Sequence, residues 1–274
     1  MNDVRRQFMT LASREPVPLG RAALLIAKEE YPELDVDKYL QRFSELARKA
    51  EPLVRAGADT VERIQRLSHF LFEMQGFAGN SEEYEDPRNS YLNEVLDRKL
   101  GIPISLSILY LEVGRRLGIN LYGVGFPAHF LVKAVDGRGE LIIDPYNEGE
   151  ILTLEEIKSR LQQIYEQPVD LNPSMLKAIP ARQILTRMLR NLKNVYSSKS
   201  DWLHALAALD RILMLEPRSA DEMLERGSIY EKLECFQPAL DDLQSFLSNA
   251  PDHPAADAAR DGVVRLMRQV ARIN

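Results

Sequence analysis

Apolar residues recur at helical spacing through the first third of the chain. In residues 19–31 they fall at Leu19, Ala22, Ala23, Ile26 and Ala27, one stripe of a helix that Pro32 ends. Residues 35–50 repeat the pattern at Val36, Tyr39, Leu40, Phe43 and Leu46. Asp59-Thr60 then caps a third helix with Val61, Ile64, Leu67 and Leu71 inside. Residues 75–89 are polar and punctuated by Gly and Asn, which predicts turns. A Ser90 cap and a Gly101 stop bracket a further helix over residues 91–100. The middle changes character. Residues 105–117 are almost wholly apolar, a helix buried on most sides and closed by Gly118. Three strand-like runs follow, at 121–126, 128–135 and 141–144, the last two joined by the turn signal Asp136-Gly137-Arg138-Gly139. Strands placed after a buried helix, rather than alternating with helices, predict an α+β core, in a chain that is predominantly helical.

From about Met175 the chain is helical again and repeats itself at an offset of 34 residues. Tyr196 matches Tyr230, Trp202 matches Phe236, and Ala205-Leu206 matches Ala239-Leu240. The register continues through Leu209 and Leu243, Leu213 and Leu247, Pro217 and Pro251. Small residues where paired helices touch, with Pro closing each unit, resemble the tetratricopeptide repeat. Two units are counted, the first beginning with the helix over residues 181–196, and residues 255–273 supply a helix that closes the stack. The expected organisation is therefore 1–177, N-terminal helices with a core at about 89–150, followed by an all-α array over 178–274.

Residues 101–147 carry a more specific resemblance. A buried helix approached through Gly101-Ile102-Pro103, Gly118 at its end, a strand carrying His129, and a hairpin strand ending in Asp144-Pro145 resemble the papain-like transglutaminase fold, whose small antiparallel sheet flanks such a helix. That superfamily uses a Cys-His-Asp triad, with the thiol at the start of the buried helix. There the helix N-terminus stabilises a thiolate, the His pairs with it and the Asp fixes the His tautomer. The resemblance places His129 and Asp144 at the second and third positions. At the first, counting from Gly101 or back from Gly118, stands Pro103. Ser105 is the nearest hydroxyl and has two readings, a substituted nucleophile or a first-turn hydroxyl bonding free backbone amides. With Asn89-Ser90-Tyr91-Leu92, the run Gly101 to Ser107 and the repeat tail, nearly the whole chain resembles the bacterial SirB-type proteins, whose central segment is shared with an F-box protein of animals.

Composition narrows the function classes. Lys and Arg number 35 against 41 Asp and Glu, a net charge of −6; after Pro180 the balance is 13 to 13, and before it 22 to 28. No basic excess exists to drive phosphate-backbone binding, so nucleic acid is not expected as a partner. Cys235 is the only cysteine, which rules out a disulfide framework or a thiolate zinc cluster within one chain; it is expected as a small packed residue on a repeat helix. Asp86, Asn89, Asn93 and Glu94 follow no calcium-loop spacing and are read as turn and cap formers, so no metal or cofactor is expected. His69, His204 and His253 have no sequence partner to recommend them. No apolar run suggests a membrane span and no secretory signal is visible at the N-terminus, giving a soluble, cytoplasmic expectation. Two functions follow. The first is a pseudoenzyme, non-catalytic, that binds a protein or peptide through the repeats as a scaffold or regulator. The second is a cysteine-less hydrolase or acyltransferase acting through Ser105, His129 and Asp144. The oligomeric state is left open.

Overall fold

A computed structural model describes residues 3–166 and 169–273, and the chain divides between Met188 and Leu189 into two compact units. The first unit opens with α1 (Asp3–Ala12), α2 (Leu19–Glu30), α3 (Val36–Arg55) and α4 (Thr60–Ser68). Asp35 and Asp59 cap α3 and α4 by accepting the amides of Lys38 and Glu62. Two ends differ from the sequence expectation. α3 runs past Ala50 to Arg55 and through Pro52, whose lost hydrogen bond falls close to the helix end and is tolerated there. α4 continues into a π-helical turn, His69–Met74.

Next come β1 (Ala78–Gly79), a 3-10 turn at Pro87–Asn89, α5 (Leu92–Arg98), β2 (Leu100–Gly101) and α6 (Pro103–Arg116). Tyr91 rather than Ser90 occupies the cap position of α5. Lys99, at φ 64°, ends that helix in place of Gly101. Gly101 is needed elsewhere: it pairs with Gly79 in a short parallel ladder, and a Cβ on it would lie 2.8 Å from the Ser105 hydroxyl. α6 is buried from Pro103 through Leu111, as its apolar run predicts. Inside it the Tyr110 hydroxyl lies 3.0 Å from Ser68 Oγ, and the Tyr110 ring stacks on Phe72.

The strands are β3 (Leu121–Val124), β4 (Leu131–Asp136), β5 (Gly139–Asp144), β6 (Glu150–Leu152) and β7 (Ala178–Ile179), with α7 (Leu154–Tyr165) between the last two. They form one antiparallel sheet in the order β6-β5-β4-β3-β7. β4 is central, and Leu131, Val132 and Ala134 are buried on its two faces. Lys133 is buried as well and reaches Glu140 at 2.6 Å. The sequence reading identified three of the five strands and did not identify α7. The fold is mostly helical, an α+β core followed by an all-α array of helix pairs.

α8 (Ala181–Ser198) carries the chain across the division into the second unit. There α9 (Trp202–Leu215), α10 (Ala220–Lys232), α11 (Phe236–Asn249) and α12 (Ala256–Ile273) follow. Ala205 and Ala239 are fully buried where the repeat requires small residues, and Pro217 and Pro251 follow the ends of α9 and α11. Arg226 of α10 forks onto Asp242 of α11 at 2.7 and 2.8 Å and reaches Asp210 of α9 at 2.8 Å. Cys235 is not packed: it is exposed at the cap position of α11, because the chain turns there through Glu234 at φ 56°.

Candidate functional site

His129 is not on a strand. Pro127 and Ala128, the latter at φ 49°, turn the chain ahead of β4, and the His129 amide closes the turn on the Phe126 carbonyl at 3.3 Å. Arg187 of α8 holds the outside of this turn, donating to the carbonyls of Phe126 and His129 at 3.0 and 2.8 Å. The imidazole then meets the end of β5, where Nε2 lies 2.9 Å from Asp144 Oδ1. The expected pair is thus present, formed from a turn and a strand end.

Asp144 is fully buried and surrounded by donors. Besides His129, Oδ1 accepts the amides of Tyr146 at 3.1 Å and Asn147 at 3.4 Å. Oδ2 accepts Asn147 Nδ2 at 2.7 Å and pairs with Arg160, which also holds Glu150 at 2.9 Å. Burial by itself would raise the carboxyl. The hydrogen bond and charge of His129, with those from Asn147 and Arg160, outweigh it and bring the pKa to about 2. Asp144 is therefore an anion at neutral pH, which makes His129 Nε2 the donor and leaves Nδ1 as the ring nitrogen for any further contact. Gly149 allows the return from β5 to β6: at φ 75° a Cβ there would lie 2.2 Å from Ser68 Oγ.

Pro103 stands at the first position of α6, buried. Ser105 is buried without exposure. Its hydroxyl donates to the Asn89 carbonyl at 2.6 Å, lies 3.1 Å from the Ile102 carbonyl, and accepts the Ile102 amide at 3.0 Å. Asn89 in turn accepts Asn80 Nδ2 at 3.1 Å and donates to the Glu83 carbonyl at 2.7 Å, so Ser105 fastens the 80–89 loop to the start of α6. The structure brings His129 and Asp144 together, and it places the Ser105 hydroxyl in that loop anchor. Asp86 accepts the Arg88 amide at 2.9 Å and pairs with Arg88 and Arg98, as a turn former should. Among the described residues no group of His, Cys, Asp and Glu is arranged to hold a metal ion. The other histidines have carboxylate neighbours, His69 with Glu73, His204 with Asp201 and His253 with Asp221.

Sequence reasoning missed Arg160, Asn147 and Tyr146. Arg160 lies on α7, whose signature was present: Thr153 and Glu156 form a reciprocal capping box, with Thr153 Oγ1 accepting the Glu156 amide at 3.3 Å and Glu156 accepting the Thr153 amide at 2.7 Å. Tyr146 stands edge-on to His129, with ring centroids 6.0 Å apart, and Tyr84 stands edge-on to Tyr146 at 6.4 Å.

A papain-like helix, a His-Asp pair at the sheet and a following array of helix pairs define a transglutaminase-like protein with tetratricopeptide repeats. Residues 37–190 match the transglutaminase-like superfamily, and residues 192–263 match the tetratricopeptide repeat. The chain belongs to the UPF0162 family of that superfamily. It is 39% identical to the UPF0162 protein of Xylella fastidiosa strain Temecula1 over 93% of this chain and 92% of the relative. The Vibrio cholerae UPF0162 protein is 30% identical over 91% and 92%. Mouse F-box only protein 21 is 29% identical over 61% of this chain and 27% of its own length. No described helix is long and apolar enough to cross a membrane.

Proposed function

We propose that this chain is a pseudoenzyme of the SirB type, a non-catalytic cytoplasmic protein whose transglutaminase-like core supports a tetratricopeptide-like array that binds a segment of a protein partner. One observation carries the non-catalytic half: the Ser105 hydroxyl, the only candidate nucleophile at the helix start, is fully buried and donates its proton to the Asn89 carbonyl. A hydrolase or acyltransferase would need that hydroxyl exposed and bonded to the imidazole of His129. Thiol chemistry has no candidate at the start of α6, since Cys235, the one cysteine of the sequence, stands at the cap position of α11. The binding half rests on the repeats, which commonly present a surface for peptide segments.

Both halves are testable on the full chain. A fluorophosphonate should leave Ser105 unmodified, and iodoacetamide should modify Cys235 alone; a time-dependent Ser105 adduct mapped by peptide mass spectrometry would refute the non-catalytic reading. For the array, Asn194 and Ser228 occupy equivalent exposed positions, 34 residues apart, on the first helices of the two pairs. A partner captured by the wild-type chain should be lost from Asn194→Arg/Ser228→Arg. Its retention would move binding away from that surface.

A further inference from the structure

A cleft in the first unit is formed by α1, α2 and the start of α3. It measures about 810 Å³, within the range of small-molecule sites. α1 contributes residues 6, 7, 10 and 11, one helical face, Arg14 follows from the turn after it, and α2 contributes 21, 25 and 28. The floor is apolar: Leu11, Leu25, Leu34 and Val36 are each buried. The walls carry four cations, Arg6 on α1, Arg14 in the turn after it, and Arg21 and Lys28 about two turns apart on α2, against Glu33, Asp35 and Asp37 on the far side.

These cations are not equally committed. Arg21 is paired with Asp37 at 2.5 Å, and Lys28 donates to the Leu34 carbonyl at 2.6 Å, which ties down the loop that closes one side. The guanidinium groups of Arg6 and Arg14 have no acceptor among the described residues, although both line the cleft. On the acidic side Asp37 is taken by Arg21, and Asp35 accepts the Lys38 amide, which leaves Glu33 as the one carboxylate of the lining without a partner. The wall that carries the uncommitted arginines is held firmly. Phe8 of α1 is fully buried, Arg5 bonds Glu29 of α2 at 2.6 Å, and Arg182 donates to the Ala12 carbonyl at 2.7 Å. A pre-formed cleft with an apolar floor and two open guanidinium groups matches a ligand that has an apolar body and one anionic head, because guanidinium forks carboxylate, sulfonate or phosphate oxygens.

We propose that this cleft binds a small amphipathic anion, with Arg6 and Arg14 on its head group and Leu11, Leu25, Leu34 and Val36 against its body. The site lies outside the His129–Asp144 region and does not depend on the proposed function of the array.

The probe is an anilinonaphthalene sulfonate dye, an aromatic body with one sulfonate, titrated into the full-length protein and followed by fluorescence. Saturable binding is expected, displaced by decanoate and weakened by salt. Arg6→Gln/Arg14→Gln should weaken it about tenfold, since two charge-assisted contacts are lost. The neutral dye N-phenylnaphthylamine should change by less than about twofold, because only the apolar floor holds it. Thr10→Glu, which sets a carboxylate one helical turn from Arg6 where it competes with the dye for the guanidinium, is the second arm and should also weaken the sulfonate selectively. Circular dichroism and the Tm of each variant confirm that it is folded. Phosphatidylglycerol vesicles should not sediment the protein. The proposal is overturned if the dye shows no saturable binding, or if both lining variants bind it like wild type. It is also overturned if the control pair Arg218→Gln/Arg268→Gln, outside the cleft lining, causes the same loss, or if vesicles retain the wild type and not the arginine variant, which would place the anion on a membrane surface.

Discussion

Asp144 holds His129, Arg160 and the turn after β5 through one carboxylate, so its charge is the point at which acid acts on this site. Its folded pKa of about 2 lies below the roughly 3.9 of an unfolded aspartate. The stabilisation, roughly 2 kcal/mol, is therefore complete above about pH 5 and is lost as pH falls through the folded value near 2. Urea unfolding should show the gap between wild type and Asp144→Asn closing over that interval; a gap that stays constant down to about pH 2 would mean that the carboxylate contributes no such stabilisation. Ser105 is the second position where one atom decides. If its hydroxyl is an anchor, Ser105→Ala should cost about 1–3 kcal/mol, because the Asn89 carbonyl and the Ile102 amide are left buried without that partner. Amide exchange should then rise in residues 80–89. A variant of unchanged stability and unchanged exchange would contradict the anchoring role. The sequence leaves Ser105 with two readings, a nucleophile or a first-turn hydroxyl, because a motif fixes chain position and does not reveal which acceptor a buried hydroxyl finds.

At the scale of elements, what could be read in the sequence was set by period. The apolar helix α6, the hairpin of β4 and β5 and the 34-residue repeat were all legible, since each has a strong period or a turn signal. β6 and β7 were not, because segments of three and two residues carry no alternation to detect. The strand expected at His129 failed for a related reason. Apolar residues 128–135 read as one run, but Ala128 is in the left-handed region and Pro127 can donate no ladder hydrogen bond, so pairing begins at Leu131. In the repeats the cross-helix element is Arg226, which ties α9, α10 and α11 together and covers the buried Asp242. Its loss leaves that carboxylate unpaired. Arg226→Ala should therefore destabilise the array by about 3 kcal/mol, and the double variant Arg226→Leu/Asp242→Leu should recover much of it. Equal losses in the single and the double variant, measured by chemical denaturation, would count against the clamp.

Across the whole molecule, α8 belongs to both units. Ile184 and Leu185 are buried in the first, and Leu189 and Leu192 lie beyond the division. A fragment of residues 178–274 would expose Ile184 and Leu185, and it contains fewer repeats than a free-standing solenoid usually needs. It should unfold at a markedly lower temperature than the intact chain, and a calorimetric Tm equal to that of the full protein would refute the dependence. Helical period continues unbroken through α8 and marks no seam within it, so a boundary read from the sequence falls ahead of the helix, between residues 177 and 178. The 80–89 loop, by contrast, is closed on itself: Asn80 bonds Asn89, and the two ends are tied to Gly101 and Ser105. The side chains of its exposed tip, from Ser81 to Glu85, can consequently be exchanged without disturbing the core, provided the backbone of Glu83 keeps its bonds to Asn80 and Asn89. That makes the tip a natural port at which a fluorophore could be attached beside Tyr84, so that a change in the Tyr84–Tyr146–His129 ring contacts would be read out as emission.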